Sequence, residues 1–63
     1  MNRIREFRLK AGLTQAQLAD MINKPQHHIS RWENGTHAPS VKVLMQLAKA
    51  LKCSVGDLVG EEE

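Results

Sequence analysis

Aromatic residues are nearly missing from this 63-residue chain, which has one Phe, one Trp and no Tyr. Its core must therefore be aliphatic, built from Leu, Ile, Val, Met and Ala around Phe7 and Trp32. The single cysteine, Cys53, excludes an intrachain disulfide and fits a reducing cytoplasm. No apolar run approaches the roughly 18 residues that a membrane span needs, and the first residues carry no signal-peptide apolar region. The expected location is the cytoplasm. Repeats, strand-like alternation and linker composition are all missing too. A chain of 63 residues makes one small domain, near the lower limit for folding without disulfides or metal. Its hydrophobic content of 41% still supports a globular core and excludes disorder along the whole length.

Charge is modest in sum and uneven in placement. A net charge of +2 does not by itself argue for nucleic acid. Residues 1–37, however, carry six cations (Arg3, Arg5, Arg8, Lys10, Lys24, Arg31) against three carboxylates (Glu6, Asp20, Glu33), a balance of +3. All three histidines lie there as well. Residues 38–63 carry three lysines against Asp57, Glu61, Glu62 and Glu63, a balance of −1. A basic front and an acidic tail suit a protein that faces phosphate with its N-terminal half. They equally suit a surface that is simply well solvated.

The periodicity is helical throughout. Ile4, Phe7 and Ala11 recur at helical spacing, predicting a first helix over 2–11 that ends at Gly12. Thr14 and Gln17 have the spacing of a capping box, and Leu18, Ala19 and Ile22 form the inner stripe of a second helix. Asn23 falls where a sharp turn needs a left-handed residue. Pro25 is tolerable only in a first turn, so a third helix begins there or one residue later. Ile29 and Trp32 face inward from it, and Gly35 stops it. After the loop Thr36-His37-Ala38-Pro39, Ser40 caps a fourth helix whose expected inner stripe is Val41, Leu44, Leu47, Ala48 and Leu51. Ser54 and Asp57 open a short fifth helix through Val59, closed by Gly60, and Glu61–Glu63 are expected to fray as an acidic tail. The fold class is all-α, a compact five-helix domain over residues 1–60.

Two short helices joined by a tight turn, with Gln26, His27, His28, Ser30 and Arg31 crowding the second, are what a helix-turn-helix needs to lay one helix in the major groove. In combination, Leu13-Thr14-Gln15, Leu18-Ala19, Ile29-Ser30-Arg31-Trp32-Glu33-Asn34-Gly35, Pro39-Ser40 and Leu47-Ala48-Lys49-Ala50-Leu51 make the chain resemble the phage repressor and Cro-like helix-turn-helix proteins, the XRE family, from about Ile4 to Gly60. The resemblance implies a lambda-repressor-like DNA-binding domain and a transcriptional regulator, a repressor acting by operator occupancy. It also implies that Arg8 pairs with Glu33, tying the first helix to the end of the recognition helix.

Groove geometry orders the candidates. The first turn of the recognition helix meets base edges, so Gln26 and His27 come first, with Ser30 and Arg31 one turn on. Gln can bond adenine at two atoms and Arg can do the same with guanine. Phosphate candidates are Gln15 at a helix start, His28 further round the helix, and Asn34, which matches the family's phosphate-contacting asparagine. Thr36 and His37 in the next loop are candidates for the same task. In similar proteins the glutamine matching Gln15 also braces the residue matching Gln26. Three positions depart from the family pattern: Asn23 replaces the usual turn glycine, Lys24 an apolar residue, and Pro25 the Ser or Thr cap.

Double-stranded DNA is the expected partner. A second copy is the other, since one recognition helix reads only a few base pairs and similar proteins bind two-fold half-sites. That homodimer, formed in solution or only on DNA, would use the last helix and the loop before it, with Cys53, Val55, Leu58 and Val59 as candidates. Buried packing accounts for these residues equally well. A small antitoxin-like module whose main partner is a protein is the alternative, and a scaffold that has lost DNA binding is another. Adjacent His27 and His28 point about 100° apart on a helix and cannot chelate together, so no metal is expected. No small-molecule ligand, cofactor or catalytic set is evident, and the chain does not read as an enzyme. Three histidines on the presumed DNA side predict affinity that rises as pH falls through about 6–7.

Overall fold

The computed structural model describes residues 2–60, so the expected fraying of Glu61–Glu63 lies outside the described residues. Within them the chain is all-α: α1 (Ile4–Lys10), α2 (Gln15–Met21), α3 (Gln26–Glu33), α4 (Val41–Leu51) and α5 (Val55–Val59). α2 packs on α3, α4 on α5, and α1 touches α3, α4 and α5, so the first helix lies at the junction of the two pairs. The domain measures 32 × 23 × 19 Å. None of its helices is long and apolar enough to cross a membrane.

Local chemistry sets the helix boundaries. The Thr14–Gln17 capping box forms in both directions, with bonds of 3.0 and 2.8 Å, and Ser54–Asp57 repeats it at the start of α5. The two bonds from Ser54 hold the Asp57 carboxyl below its ordinary pKa. Ser40 caps α4 through the Val43 amide. α1 is shorter than the expected 2–11 at both ends. Asn2 stays outside it and accepts the Ile4 amide through its side chain, while Ala11 is exposed and forms the C-cap.

Four helices end in one way. After α2, the Lys24 amide donates to Ala19 and the Asn23 amide to Asp20, at 2.9 and 3.2 Å, with Asn23 left-handed at φ 59°. The ends of α1 and α3 repeat this pair of bonds at Gly12 and Gly35. Such a crossed pair satisfies two of the last carbonyls and turns the chain sharply. The fourth instance, after α4, has Lys52 in the left-handed position at φ 57°.

The core consists of Ile4, Leu18, Ala19, Ile22, Ile29, Trp32, Val43, Leu47, Ala48, Leu51 and Leu58. One expectation fails here. Val41 is 70% exposed, and Val43 takes its place against the core. The α4 stripe runs Val43–Leu47–Leu51, with Leu44 packed only at its edge. Leu58 is completely buried within the domain, which removes it from the candidate dimer contacts.

Candidate nucleic-acid interface

α3 begins at Gln26, with Pro25 as an extended N-cap that offers its carbonyl, but no side chain, to the first turn. Successive residues rotate by about 100°, so His27, Ser30, Arg31 and Asn34 share one arc, opposite buried Ile29 and Trp32. His27, Arg31 and Asn34 are exposed and Ser30 is half-buried. Gln26 and His28 occupy the two flanks of this arc.

The Gln26 flank is braced from behind. Arg8 and Glu33 form a two-point pair, Nε to Oε2 at 2.6 Å and Nη2 to Oε1 at 3.2 Å, with side chains 9% and 5% exposed. Arg8 also donates to the Leu13 carbonyl at 2.8 Å, which fixes the turn before α2. Gln15 Nε2 donates to Glu33 Oε1 at 3.1 Å, and Gln26 Nε2 donates to Gln15 Oε1 at 3.4 Å. A buried ion pair thus orients the exposed Gln26 through the half-buried Gln15. Both ends of the Gln15 side-chain amide are engaged in this relay.

The other flank is aromatic. The His28 ring lies edge-on to His27 at 4.7 Å and tilted over Trp32 at 5.8 Å. Half-burial, then the neighbouring positive groups of His27, Lys24, Arg31 and His37, push its pKa below the ordinary 6.5. His28, Arg31, Trp32, His37 and Ala38 line one cleft, so His37 reaches this flank from the loop. At the helix end, Asn34 Oδ1 accepts both the amide and the hydroxyl of Thr36, at 3.0 and 2.6 Å. That turn holds Thr36 beside Asn34.

The geometry therefore gathers Gln15, Gln26, His27, Ser30, Arg31, Asn34 and Thr36 along one edge of the domain and sets His28 against Trp32. One residue was missed by the sequence reading. Arg5, counted there only as surface charge, joins Arg8, Gln15, Ser30, Glu33 and Asn34 around a cleft of about 230 Å³. The available signal was its position three residues before Arg8, which places the two on neighbouring faces of α1.

A helix-turn-helix family model matches residues 4–58 of the chain. The competence pilus inhibition repressor of Acinetobacter baylyi is 42% identical over 55 residues, covering 87% of this chain and 50% of that protein. An uncharacterized HTH-type transcriptional regulator of Archaeoglobus fulgidus is 36% identical over 56 residues, covering 89% of this chain and 80% of that one. Repressor protein C2 of Salmonella phage P22 is 40% identical over 52 residues, covering 82% of this chain and 24% of that repressor. The chain thus spans half or less of both repressors.

Proposed function

Because the chain belongs to the helix-turn-helix family, we propose that it binds a specific sequence of double-stranded DNA and represses transcription in the cytoplasm by occupying an operator. Its similarity to proteins named as repressors supports the sign of regulation. The observation that carries the reading is the relay Arg8–Glu33–Gln15–Gln26, which holds a polar reading edge in fixed register with the core. α3 lies in the major groove. Gln26, His27, Ser30 and Arg31 meet base edges, and Gln15, His28, Asn34 and Thr36 meet phosphates. Residues 1–60 act as one DNA-binding unit.

Two copies bind a two-fold operator with half-sites about one helical turn apart. Val59, exposed on α5, the half-buried Val55 and the half-buried Cys53 in the preceding loop are the contacts that the last helix and this loop offer to the second copy.

Selection of bound duplexes from a random pool, followed by a salt titration of the winner, tests this reading. A palindrome with half-sites one turn apart, bound with a steep salt dependence, is the expected result. Weak, uniform binding with nothing enriched would overturn it and make a protein partner the leading reading.

A further inference from the structure

The cleft between α1 and α3 has an unbalanced hydrogen-bonding inventory. Its carboxylate and amide oxygens are occupied among the described residues: Glu33 Oε1 takes two bonds and Oε2 one, Gln15 Oε1 takes Gln26, and Asn34 Oδ1 takes two from Thr36. Its donors are mostly free. Asn34 Nδ2 and the Ser30 hydroxyl have no protein acceptor among the described residues, and Arg8 uses three of its N–H groups on Glu33 and Leu13 out of about five.

The charge is unbalanced in the same direction. Of the four cations on or beside α1, Arg3 is held by Glu6 at 2.9 Å and Lys10 lies 3.6 Å from the same carboxylate. Arg8 is neutralised by buried Glu33. Arg5 is exposed and has no ion pair or hydrogen bond among the described residues. Arg5 and Arg8 against Glu33 leave the lining at one net positive charge. Surplus donors, occupied acceptors and one uncompensated guanidinium are complementary to an anion that only accepts.

We propose that this cleft is a clamp for one DNA phosphodiester, with Arg5 supplying the charge and Asn34 Nδ2 a flanking donor, so that α1 is part of the DNA interface. The proposal rests on the DNA-binding reading and adds to it a helix outside the helix-turn-helix. The occupant is a phosphodiester of the bound duplex because Ser30 and Asn34 belong both to the cleft and to the outward arc of α3. A phosphate held there fixes how deeply α3 enters the groove and carries no sequence information itself.

The test compares wild type with Arg5→Gln on the selected duplex. Loss of one phosphate contact per protomer, two per operator complex, reduces the salt slope by about 1.8 and, if the two proteins converge at 1 M salt, weakens binding roughly 60-fold at 0.1 M. The selected consensus stays the same. A methylphosphonate scanned through each half-site weakens wild type at one position where the variant is indifferent. Lys49→Gln, in a separate cleft beside Met21 and Ala50, controls for the lost charge and leaves the slope unchanged. If wild type binds its operator and Arg5→Gln matches it in slope and affinity, the clamp is overturned and the DNA reading stands. If wild type binds no duplex, both are overturned.

Discussion

Arg8 and Glu33 are nearly removed from solvent, so deleting either partner leaves a charge that water cannot reach. Arg8→Ala is expected to lower stability by about 3–5 kcal/mol, read in urea unfolding. Replacing both partners with apolar residues, Arg8→Met with Glu33→Leu, should restore most of that loss. It also removes the acceptor of Gln15, so operator discrimination falls even as folding recovers. His28 gives a prediction in pH. With its folded pKa held below 6.5, its contribution to folding is complete above pH 6.5 and is lost as pH falls through the lowered value. DNA acts in the opposite sense, because a nearby phosphate favours the protonated ring and binding takes up a proton. NMR titration of the His28 ring should show a pKa below 6.5 in the free protein that rises in the complex, with affinity increasing as pH falls below 6.5 at fixed salt. A ring unmoved by DNA and a flat affinity profile would place His28 outside the interface. The Arg8–Glu33 pair was legible through the family resemblance. The packing of His28 on Trp32 had a signal in their i, i+4 spacing on α3, though that spacing alone does not fix the tilt of the ring.

At the level of elements, Lys52 holds a left-handed backbone without the freedom of glycine or the local hydrogen bonding of asparagine. Lys52→Gly is expected to stabilise the domain by about 0.5–1 kcal/mol, raising the melting midpoint by roughly 2–8 °C in a chain of this size. The position was readable only indirectly. A helix ending at Leu51 and a cap at Ser54 leave two residues for a reversal, and neither Lys52 nor Cys53 is a turn former. The capping boxes and the Asn23 turn were legible because each has its own side-chain chemistry. The inner face of α4 was harder. Val41, Leu44, Leu47, Ala48 and Leu51 fit one stripe and Val43, Leu47 and Leu51 another, and the sequence does not show that the first turn lies beyond the core. The outward arc of α3 followed from Ile29 and Trp32 facing inward, whereas the cleft behind it depends on tertiary contact between α1 and α3.

For the whole molecule, size governs. A 63-residue domain has a total stability of about 3–9 kcal/mol, so one core residue is a large share of it. Leu47, fully buried on the longest helix, should cost about 2–5 kcal/mol as Leu47→Ala. Urea unfolding is expected to show a lowered midpoint and, at 37 °C, a measurable unfolded fraction. The same smallness makes the ends of the described chain interdependent. Asn2 donates to the Trp32 carbonyl at 2.7 Å, and the Arg3 amide donates to the Leu58 carbonyl at 2.7 Å. Asn2 and Arg3 therefore wait for Trp32 and Leu58, which are translated after them, before these bonds can form. Translation completes α5 within about 2 s of α4, at about 5–20 residues per second, and only then can the seam close. Until then the inner faces of α1 and α4 stay partly open to chaperones and proteases, and an interrupted synthesis leaves a fragment without its closing contact.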